Sequence, residues 1–394
     1  MYLNTILAYV FGGTTFVRKL LASLLAIGGL GGLVGWMNYA DLVHARHQAI
    51  AKNLDSLGSV WADLSRPPLT VKAVGDIMLA STYPNTSRMP PADGATVLAE
   101  VRETLAAADL TFGNLEGPLI DGGVSAKCGP NSTRCFAFRT PTRYAQYLKE
   151  SGFDVLSLAN NHVGDFGAAG RESTRKALED VGIRHAGSGT EELAETIVAV
   201  KGSKVGFLAL GHNPGMLSVT DVETAVARVK ALDEQVDIVV VSYHGGAEGS
   251  DRGLVPNQDE IFLGENRGNL PKLSKAVIDA GADLVLGHGP HILRGLEIYN
   301  DRLIVYSLGN FATYGWFQLA GSTALSGILE VELAPDGSFR SGEFTSYKLI
   351  NRGIPVPDET RAALREVRSL STRNFRENAP KFGENGEISL PVKP

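Results

Sequence analysis

Short apolar runs alternate with longer amphipathic stretches from residue 69 onwards, a pattern that predicts alternating strands and helices. Two clear strands are LTVKAVGD (69–76) and DVLSLA (154–159). Further strands are predicted near 110–113, 183–186, 196–200, 204–210, 236–242, 283–287, 292–298 and 302–307. Helices are predicted near 93–107, 141–151, 168–181, 221–234, 270–280 and 358–370. Pro335-Asp336-Gly337 predicts a hairpin that joins 324–334 to 339–348.

The order of these elements predicts the fold class. Alternating strands and helices favour α/β layers, whereas adjacent hairpins favour a mixed sheet over a purely parallel one. We therefore expect an α/β domain over residues 69–350. A C-terminal extension, 351–394, is expected to hold the last helix and then a loose tail.

The N-terminus has a different pattern. Residues 20–37, LLASLLAIGGLGGLVGWM, contain no charged side chain, and their number roughly matches the ~20 residues of a membrane-spanning helix. Arg18 and Lys19 precede this run and favour a cytoplasmic N-terminus. No A-x-A-like cleavage site follows it, so we expect a retained signal-anchor over residues 1–39. Residues 40–68 predict a helical stalk that ends at Pro67-Pro68.

The charge balance restricts the partners of the protein. Its 394 residues are 44% hydrophobic and 20% charged, with a formal net charge of −6. This hydrophobic share is sufficient for a packed core. The acidic balance gives no support to nucleic-acid binding, which needs a basic face. An anionic substrate remains compatible with the charge, because a bound metal ion can supply local positive charge.

The two cysteines, Cys128 and Cys135, enclose the turn-forming sequence GPNSTR. This spacing suits a small disulfide loop and, together with the anchor, an oxidising extracytoplasmic location. Two free buried thiols are the alternative. A zinc site is disfavoured, because no further ligands lie nearby in the sequence.

Polar side chains follow five predicted strands at the points where these strands end. In α/β sheets, ligands bind outside the carboxyl ends of the strands. The residues at these ends are Asp76, Asn114, Glu116, Asn161, His162, His244, Glu248, His288 and His291. Converging carboxylate, amide and imidazole groups suit a divalent metal ion, for which manganese, zinc, iron and magnesium are all candidates.

Each of these residues also has a structural interpretation. Asp76 and Glu116 would serve as caps, Asn160 and Asn161 as Asx turns, and His244 or His288 as a satisfied core histidine. The whole set is stronger evidence for a metal site than any one residue, because four of the eight histidines fall at these strand ends. We predict that Asn161 ligates metal through its amide oxygen and that His162 meets the substrate as acid or hydrogen-bond donor. His212 remains a candidate for supporting the ligands.

Seven motifs resemble a known family in their order along the chain. They are VGDIML (74–79), GNLEGP (113–118), FRTP (138–141), GFDVLSLANNHVGDFG (152–167), HGGAE (244–248), GADLVLGHGPH (281–291) and IVYSLGNF (304–311). The series resembles the CapA-type poly-γ-glutamate synthesis proteins, a capsule biosynthesis family within the calcineurin-like metallophosphatase superfamily. The resemblance implies a four-layer α/β/β/α sandwich, metallophosphatase-like, behind the N-terminal transmembrane helix.

The resemblance also implies roles for individual residues. His162 would be the catalytic histidine. The metal ligands would be Asp76, Glu116, Asn161, His244, His288 and His291. We assign Arg139 as a substrate contact, because its planar fork can pair with carboxylate or phosphate, and Asn114 and Glu248 as further contacts. Two motifs differ from the superfamily pattern: Met78 stands in place of the histidine of Asp-x-His, and the last motif has one extra residue between its histidines.

Three functions remain open at the level of sequence. The first is a single-pass accessory subunit of poly-γ-glutamate synthesis and export, whose extracytoplasmic domain handles the polyanionic polymer beside ligase-like and polytopic synthase subunits in the cell membrane. The second is an extracytoplasmic metal-dependent hydrolase of phosphoesters or polymer amides, with His162 protonating the leaving group. The third is a scaffold with a vestigial metal site.

Overall fold

A computed structural model describes residues 66–125, 127–128 and 135–391. The described residues from Pro68 onwards form one compact unit. The predicted anchor (1–39) and nearly all of the predicted stalk (40–68) lie outside the described residues. Within the described ranges, no helix has both the length and the apolar character needed to cross a membrane.

Strands and helices alternate through the described chain, as the hydrophobic pattern predicts. The strands are β1 Leu69–Met78, β2 Leu110–Leu115, β3 Val155–Ser157, β4 Arg184–Ala186, β5 Glu195–Val200, β6 Ser203–Gly211, β7 Ile238–His244, β8 Ile261–Phe262, β9 Glu265–Asn266, β10 Leu284–His288, β11 Leu296–Tyr299, β12 Arg302–Val305, β13 Asn310–Thr313, β14 Leu325–Leu333, β15 Phe339–Ile350, β16 Ile354–Pro357, β17 Lys381–Phe382 and β18 Glu387–Ser389. The helices are α1 Arg102–Ala106, α2 Tyr144–Glu150, α3 Gly167–Asp180, α4 Val222–Asp233, α5 Leu270–Asp279 and α6 Ala362–Phe375.

The strands form two mixed sheets and a separate β8–β9 pair. The larger sheet has the order β17-β18-β15-β14-β1-β2-β3-β4, with β13 also paired with β1 and β16 with β15. Its β1 to β4 run parallel, and β14 to β16 add in antiparallel fashion. The smaller sheet has the order β11-β12-β10-β7-β6-β5, in which antiparallel β11 and β5 flank four parallel strands. The predicted α/β class is therefore confirmed.

The two sheets pack face to face. Phe112 of the larger sheet and Phe207 of the smaller sheet stack in this central core, with ring centroids 5.7 Å apart. A second core lies between the larger sheet and the helices that include α3, where Leu178 is fully buried. A third core lies between the smaller sheet and the pair α4 and α5, where Val277 is fully buried. The layers therefore follow in the order helix, sheet, sheet, helix.

Two parts of the chain differ from the sequence prediction. The first predicted helix, 93–107, is a 3₁₀ turn at Pro91–Gly94 followed by the short α1. Residues 351–391, expected as an extension with a loose tail, belong to the main unit. In this segment α6 packs Leu364 and Val367 into the central core, and β18 pairs with β15 through Ile388, which is buried. The tail is polar on average, so its few buried side chains give no periodic pattern.

The register of the strands places the polar strand ends together. Asp76 of β1 is the partner of Asn114 in β2 and of Asn310 in β13. His244 and His288 are partners at the ends of β7 and β10. The carboxyl ends of the parallel strands in both sheets thus present their side chains to one region, which the following section describes.

Candidate metal centre

Asp76 lies where one edge of β1 changes its partner strand from β14 to β13. Residues 69–73 of β1 pair with β14, whereas Asp76 and the residues after it pair with β13. The backbone N–H of Asp76 donates to the carbonyl oxygen of Gly309 at 2.8 Å. A Cβ added at Gly75 would lie 2.0 Å from that same oxygen, so only glycine allows this close approach. The sequence Gly75-Asp76 therefore fixes a carboxylate at the edge of the sheet.

Three buried side chains offer donor atoms to a common point. One atom from each of Asp76, Glu116 and His244 lies within 4.8 Å of the others. These residues are no more than 1% exposed. Both carboxylate oxygens of Glu116 and Nε2 of His244 lack a hydrogen-bond partner among the described residues. Buried carboxylates without partners are costly, and a cation at this point would satisfy them, so the donor set fits a divalent metal ion.

Burial shifts the pKa values of Glu116 and His244 in opposite directions. It raises the pKa of Glu116 well above its ordinary value, and the nearby Asp76 carboxylate adds to the effect, whereas His291 opposes it. Burial also lowers the pKa of His244 well below its ordinary value, and the neighbouring His212 and His291 lower it further. A neutral His244 imidazole keeps a lone pair for a metal ion at the pH of the cell.

His291 and His288 lie beside the three-residue group rather than in it. Nδ1 of His291 is 2.9 Å from Oδ2 of Asp76, and its Nε2 is 3.7 Å from Oε1 of Glu116. Burial alone would lower the pKa of His291, but the carboxylates of Glu116 and Asp76 outweigh it and raise the pKa to about 10. His288 donates through Nε2 to the carbonyl oxygen of Val74 at 3.0 Å. Its Nδ1 is buried without a partner in the described part of the chain, and it is the ring nitrogen left for a ligand.

The two adjacent asparagines after β3 have different environments. Oδ1 of Asn160 accepts from the backbone N–H groups of His162 and Val163, so Asn160 forms the turn. Oδ1 of Asn161 is buried and has no hydrogen-bond partner in the described ranges. An amide oxygen in this state fits the predicted role of Asn161 as a neutral metal ligand.

Asn114, which was predicted as a substrate contact, makes hydrogen bonds within the core. It is fully buried, and its Nδ2 donates to Oδ1 of Asp76 at 2.8 Å. Its Oδ1 accepts from Nδ2 of Asn160 at 3.0 Å. Asn114 therefore holds Asp76 and the Asn160 turn in place. An apolar strand that ends in a polar residue does not by itself distinguish a supporting amide from a substrate contact.

Arg139 and Glu248, also predicted as substrate contacts, are engaged by other residues. Nε and Nη2 of Arg139 donate to the side chain and the carbonyl oxygen of Thr82, and Nη1 donates to the carbonyl oxygen of Gly123. Arg139 thus links the loop that contains Thr82 to the loop that contains Gly123. Oε1 of Glu248 accepts from Nη1 of Arg267 at 2.7 Å, so this carboxylate belongs to an ion pair at the rim.

His162 is held by groups that the sequence prediction did not assign. Its Nδ1 lies 2.8 Å from Oδ2 of Asp165, and its ring stacks on Phe138 with centroids 3.8 Å apart. Nζ of Lys127 lies 3.3 Å from the same Nδ1 and 3.3 Å from Oδ1 of Asp165, and it donates to the carbonyl oxygen of Asn161. Burial lowers the pKa of His162, although the Asp165 carboxylate opposes this effect.

Asp165 and Lys127 were not predicted from the sequence, and only Asp165 has a local sequence signal that could have indicated it. Asp165 follows His162 by three residues in the turn HVGD, a spacing that could have suggested the pair. Lys127 comes from a distant loop, and no local pattern indicates its position. It directly precedes Cys128, which the structure joins to Cys135 through a disulfide with a Cα–Cα distance of 5.6 Å. His212 supports the backbone of a candidate ligand, because its Nδ1 lies 3.1 Å from the carbonyl oxygen of His244.

The chain is similar to known proteins over most of this domain. The family model described as "Bacterial capsule synthesis protein PGA_cap" matches residues 70–314. The chain is 30% identical to "Capsule biosynthesis protein CapA" of Bacillus anthracis over 290 residues, which cover 68% of this chain and 65% of that protein, just under two thirds of its length. It is 30% identical to "PGA biosynthesis protein CapA" of Bacillus subtilis (strain 168) over 323 residues, which cover 76% and 78%. Among solved structures, the 5′-nucleotidase precursor of Thermus thermophilus is 13% identical, covers 78% of this chain and 59% of its own, and has a TM-score of 0.43.

Proposed function

The chain belongs to the bacterial capsule synthesis protein family, and from this membership we propose that it is an accessory subunit of poly-γ-glutamate synthesis and export. The names of two relatives, a capsule biosynthesis protein and a PGA biosynthesis protein, support this role. In this proposal the residues 66–391 stand outside the cell membrane and handle the emerging polymer. The proposed partners are the ligase-like and polytopic synthase subunits in the membrane.

The buried group of Asp76, Glu116 and His244 is the observation that carries the proposal. Poly-γ-glutamate is a chain of carboxylates, and a divalent metal ion supplies the charge that binds such groups. Asp76, Glu116 and His244 would hold the ion, and the free amide oxygen of Asn161 would complete its protein ligands. Lys127 places an ammonium group next to His162; it pairs with Asp165 at 3.3 Å, but 35% of its side chain is exposed, so it can also contact an anionic chain.

A location outside the membrane is supported by two features. The disulfide between Cys128 and Cys135 is typical of proteins that fold in an oxidising compartment. The uncharged run at residues 20–37, outside the described residues, is our proposed signal-anchor. Together they favour a single-pass protein with the globular unit on the oxidising side.

A second candidate function is metal-dependent hydrolysis, and the pair of His162 and Asp165 favours it. Asp165 holds Nδ1 of His162 at 2.8 Å and so directs the other ring nitrogen away from itself. A histidine oriented by a carboxylate can donate a proton to a leaving group. A bound metal ion would polarise the scissile ester or amide bond. The same pair can also donate a hydrogen bond to a polymer that is bound and not cleaved.

Binding and turnover by the same protein separate these functions. The full chain, purified in detergent and loaded with Mn²⁺, would be titrated with oligo-γ-glutamate and assayed with a generic phosphoester. We expect metal-dependent binding of the oligomer without cleavage. Turnover of the phosphoester or of the oligomer would support the hydrolase instead. Absence of both binding and turnover would contradict both functions and leave a scaffold.

A further inference from the structure

Arg88 and Arg352 bring two guanidinium groups to the same place beside Gly315. Nε of Arg88 donates to the carbonyl oxygen of Gly315 at 3.2 Å. A Cβ added at Gly315 would lie 3.0 Å from Nη2 of Arg352 and 3.3 Å from Cγ of Arg88. Nη1 of Arg352 donates to the carbonyl oxygen of Ser87, the residue before Arg88, at 3.1 Å. The two cationic side chains are therefore direct neighbours.

These two cations have no acidic partner within the described ranges. Their contacts there are the carbonyl oxygens of Gly315 and Ser87 and two aromatic faces. Cζ of Arg88 lies 4.0 Å from the ring centroid of Trp316, and Cζ of Arg352 lies 5.1 Å from that of Tyr314. Aromatic faces attract a cation from one side only and leave the N–H groups at the edge of the guanidinium free. Like charges on neighbouring side chains repel, so an anion that contacts both guanidinium groups would be stabilising.

The backbone holds Arg352 in a conformation that residues with a side chain seldom adopt. Asn351 and Arg352, in the turn between β15 and β16, have φ values of 45° and 72°. The N–H of Gly315 donates to the carbonyl oxygen of Arg352 at 2.7 Å, and the N–H of Thr313 donates to that of Gly353 at 3.1 Å. These bonds fix the turn against the chain that follows β13. Backbone strain that the surroundings maintain is frequent at ligand-binding positions.

The segment next to the arginines contacts both halves of the candidate site. The ring of Trp316 lies 4.1 Å from that of Phe138, which stacks on His162. The ring of the next residue, Phe317, lies 4.6 Å from that of His291. Arg88, whose guanidinium lies over Trp316, is therefore separated from His162 by one tryptophan and one phenylalanine ring, and Arg352 is its neighbour. This row of ring contacts leads from His162 to Arg88.

We propose that Arg88 and Arg352 form an anion-binding subsite for carboxylate groups of the polymer whose neighbouring part lies at the metal centre. The subsite deepens the proposed function and rests on it. A guanidinium fork pairs with a carboxylate through two parallel hydrogen bonds. Because the polymer repeats its carboxylates, one chain can occupy the metal centre and the subsite together, and the second contact is then intramolecular. The subsite thus selects a chain over a single small anion.

Affinity for a defined oligomer tests the subsite. The full chain, loaded with Mn²⁺, would be titrated with a decamer of γ-linked glutamate, with and without inorganic phosphate as competitor. The variants are Arg88→Gln, Arg352→Gln and the double variant. Arg340→Gln is the matched control. This exposed arginine lies at the start of β15, where Phe339 pairs with Leu333, whereas Arg352 follows the end of that strand. Metal content and melting temperature would be measured for each protein.

We expect each single variant to weaken oligomer binding by about tenfold, the range for one charge-assisted hydrogen-bonded contact. The double variant should lose more, with metal content, melting temperature and the Arg340→Gln affinity unchanged. Binding of the decamer to the double variant within about twofold of the parent would overturn the subsite and leave the proposed function standing. Full displacement of the decamer by equimolar phosphate would overturn the assignment of the subsite to carboxylate groups. No binding of the decamer by the parent protein would overturn the proposed function and the subsite together.

Discussion

Oδ2 of Asp165 lies 2.8 Å from Nδ1 of His162 and also accepts the backbone N–H of Phe138 at 2.7 Å. This carboxylate is fully buried, and Nζ of Lys127 lies 3.3 Å from its other oxygen. The bond to Phe138 fixes the carboxylate, and the carboxylate in turn fixes the imidazole ring. Asp165 is therefore a positioning residue for His162, and its effect on function can be separated from metal binding.

Asp165→Asn should lower function by about 10- to 100-fold, the usual effect of losing a group that orients a key imidazole. Function is polymer production in cells, or hydrolysis if that activity is found. Metal content should not change, because Asp165 is not among the clustered donors Asp76, Glu116 and His244. Asp180→Asn, at an exposed position on α3, is the matched control. Full polymer output from Asp165→Asn would contradict the positioning role.

Asn161 and His162 should have different effects on metal content. Asn161→Ala removes a buried amide oxygen that has no other partner in the described residues, so metal content and function should both fall. His162→Ala should keep the metal and lose function, because only a proton donor or substrate contact is removed. Elemental analysis of both proteins measures the difference. If the two residues only form the turn, each variant would lose about 1 kcal/mol of stability and keep its metal.

Removal of a ligand should release the metal, whereas removal of a supporting histidine should not. Glu116→Ala and His244→Ala each delete one of three clustered donors, so the remaining groups cannot complete the coordination. His212→Ala deletes a ring that contacts the carbonyl oxygen of His244, and the donors remain. His185→Ala, at a largely buried histidine of β4 that pairs with the exposed Glu179, is a further control. Equal metal content in all four variants would refute the ligand set.

Much of the fold could be predicted because its elements carry strong local patterns. β1, β7 and β10 are fully or almost fully buried and therefore read as continuous apolar runs, and the amphipathic α5 has the matching helical spacing. The paired strands β17 and β18 are two and three residues long, so hydrophobic periodicity cannot show them. Their place in the sheet depends on tertiary contacts such as those of Ile388.

The sequence predicted the part of the candidate site that lies at the ends of strands. Asp76, Glu116 and His244 come together because parallel strands end at one edge. Asn114 has the same residue type and strand-end position as a substrate contact, yet it supports Asp76 from within the core. Lys127 reaches His162 from a loop 35 residues away in sequence, and only the folded chain brings the two together. The predicted membership of the CapA-type family is confirmed by the relatives.

The stability of the protein should depend on pH through Asp283. Burial raises the pKa of this carboxyl to about 7, although Arg302 at 2.9 Å opposes the shift. An unfolded chain releases the same proton at a pKa of about 3.9. Between these values the folded state binds more protons than the unfolded state, so the free energy of unfolding falls as the pH rises from about 4 to about 7.

Urea unfolding of the parent and of Asp283→Asn at pH 5 and pH 8 measures this contribution. The stability of the parent relative to the variant should decrease by about 2–3 kcal/mol from the lower to the higher pH. Asp251→Asn, at a largely exposed carboxylate, should show no such dependence. The same parent-to-variant difference at both pH values would show that Asp283 is ionised throughout.

The disulfide between Cys128 and Cys135 should contribute to both stability and function. It closes a loop across seven positions of sequence, for which loop entropy predicts about 2–3 kcal/mol. The double variant Cys128→Ser, Cys135→Ser should lose this amount in urea unfolding and keep its metal. Its function should also fall, because Lys127, the residue before Cys128, would no longer be held beside His162 and Asp165.

Lys127→Gln separates the two effects of the disulfide. This variant keeps the cross-link and removes only the ammonium group, so it should share the functional loss of the cysteine variant, and any loss of stability would come from its ion pair with Asp165 and not from the cross-link. If Lys127→Gln is fully functional, the disulfide acts through stability alone. Peptide mapping under non-reducing conditions, on protein isolated from its native host, checks the cross-link itself. Two free thiols in that protein would contradict the disulfide and remove one of the two supports for a domain outside the membrane.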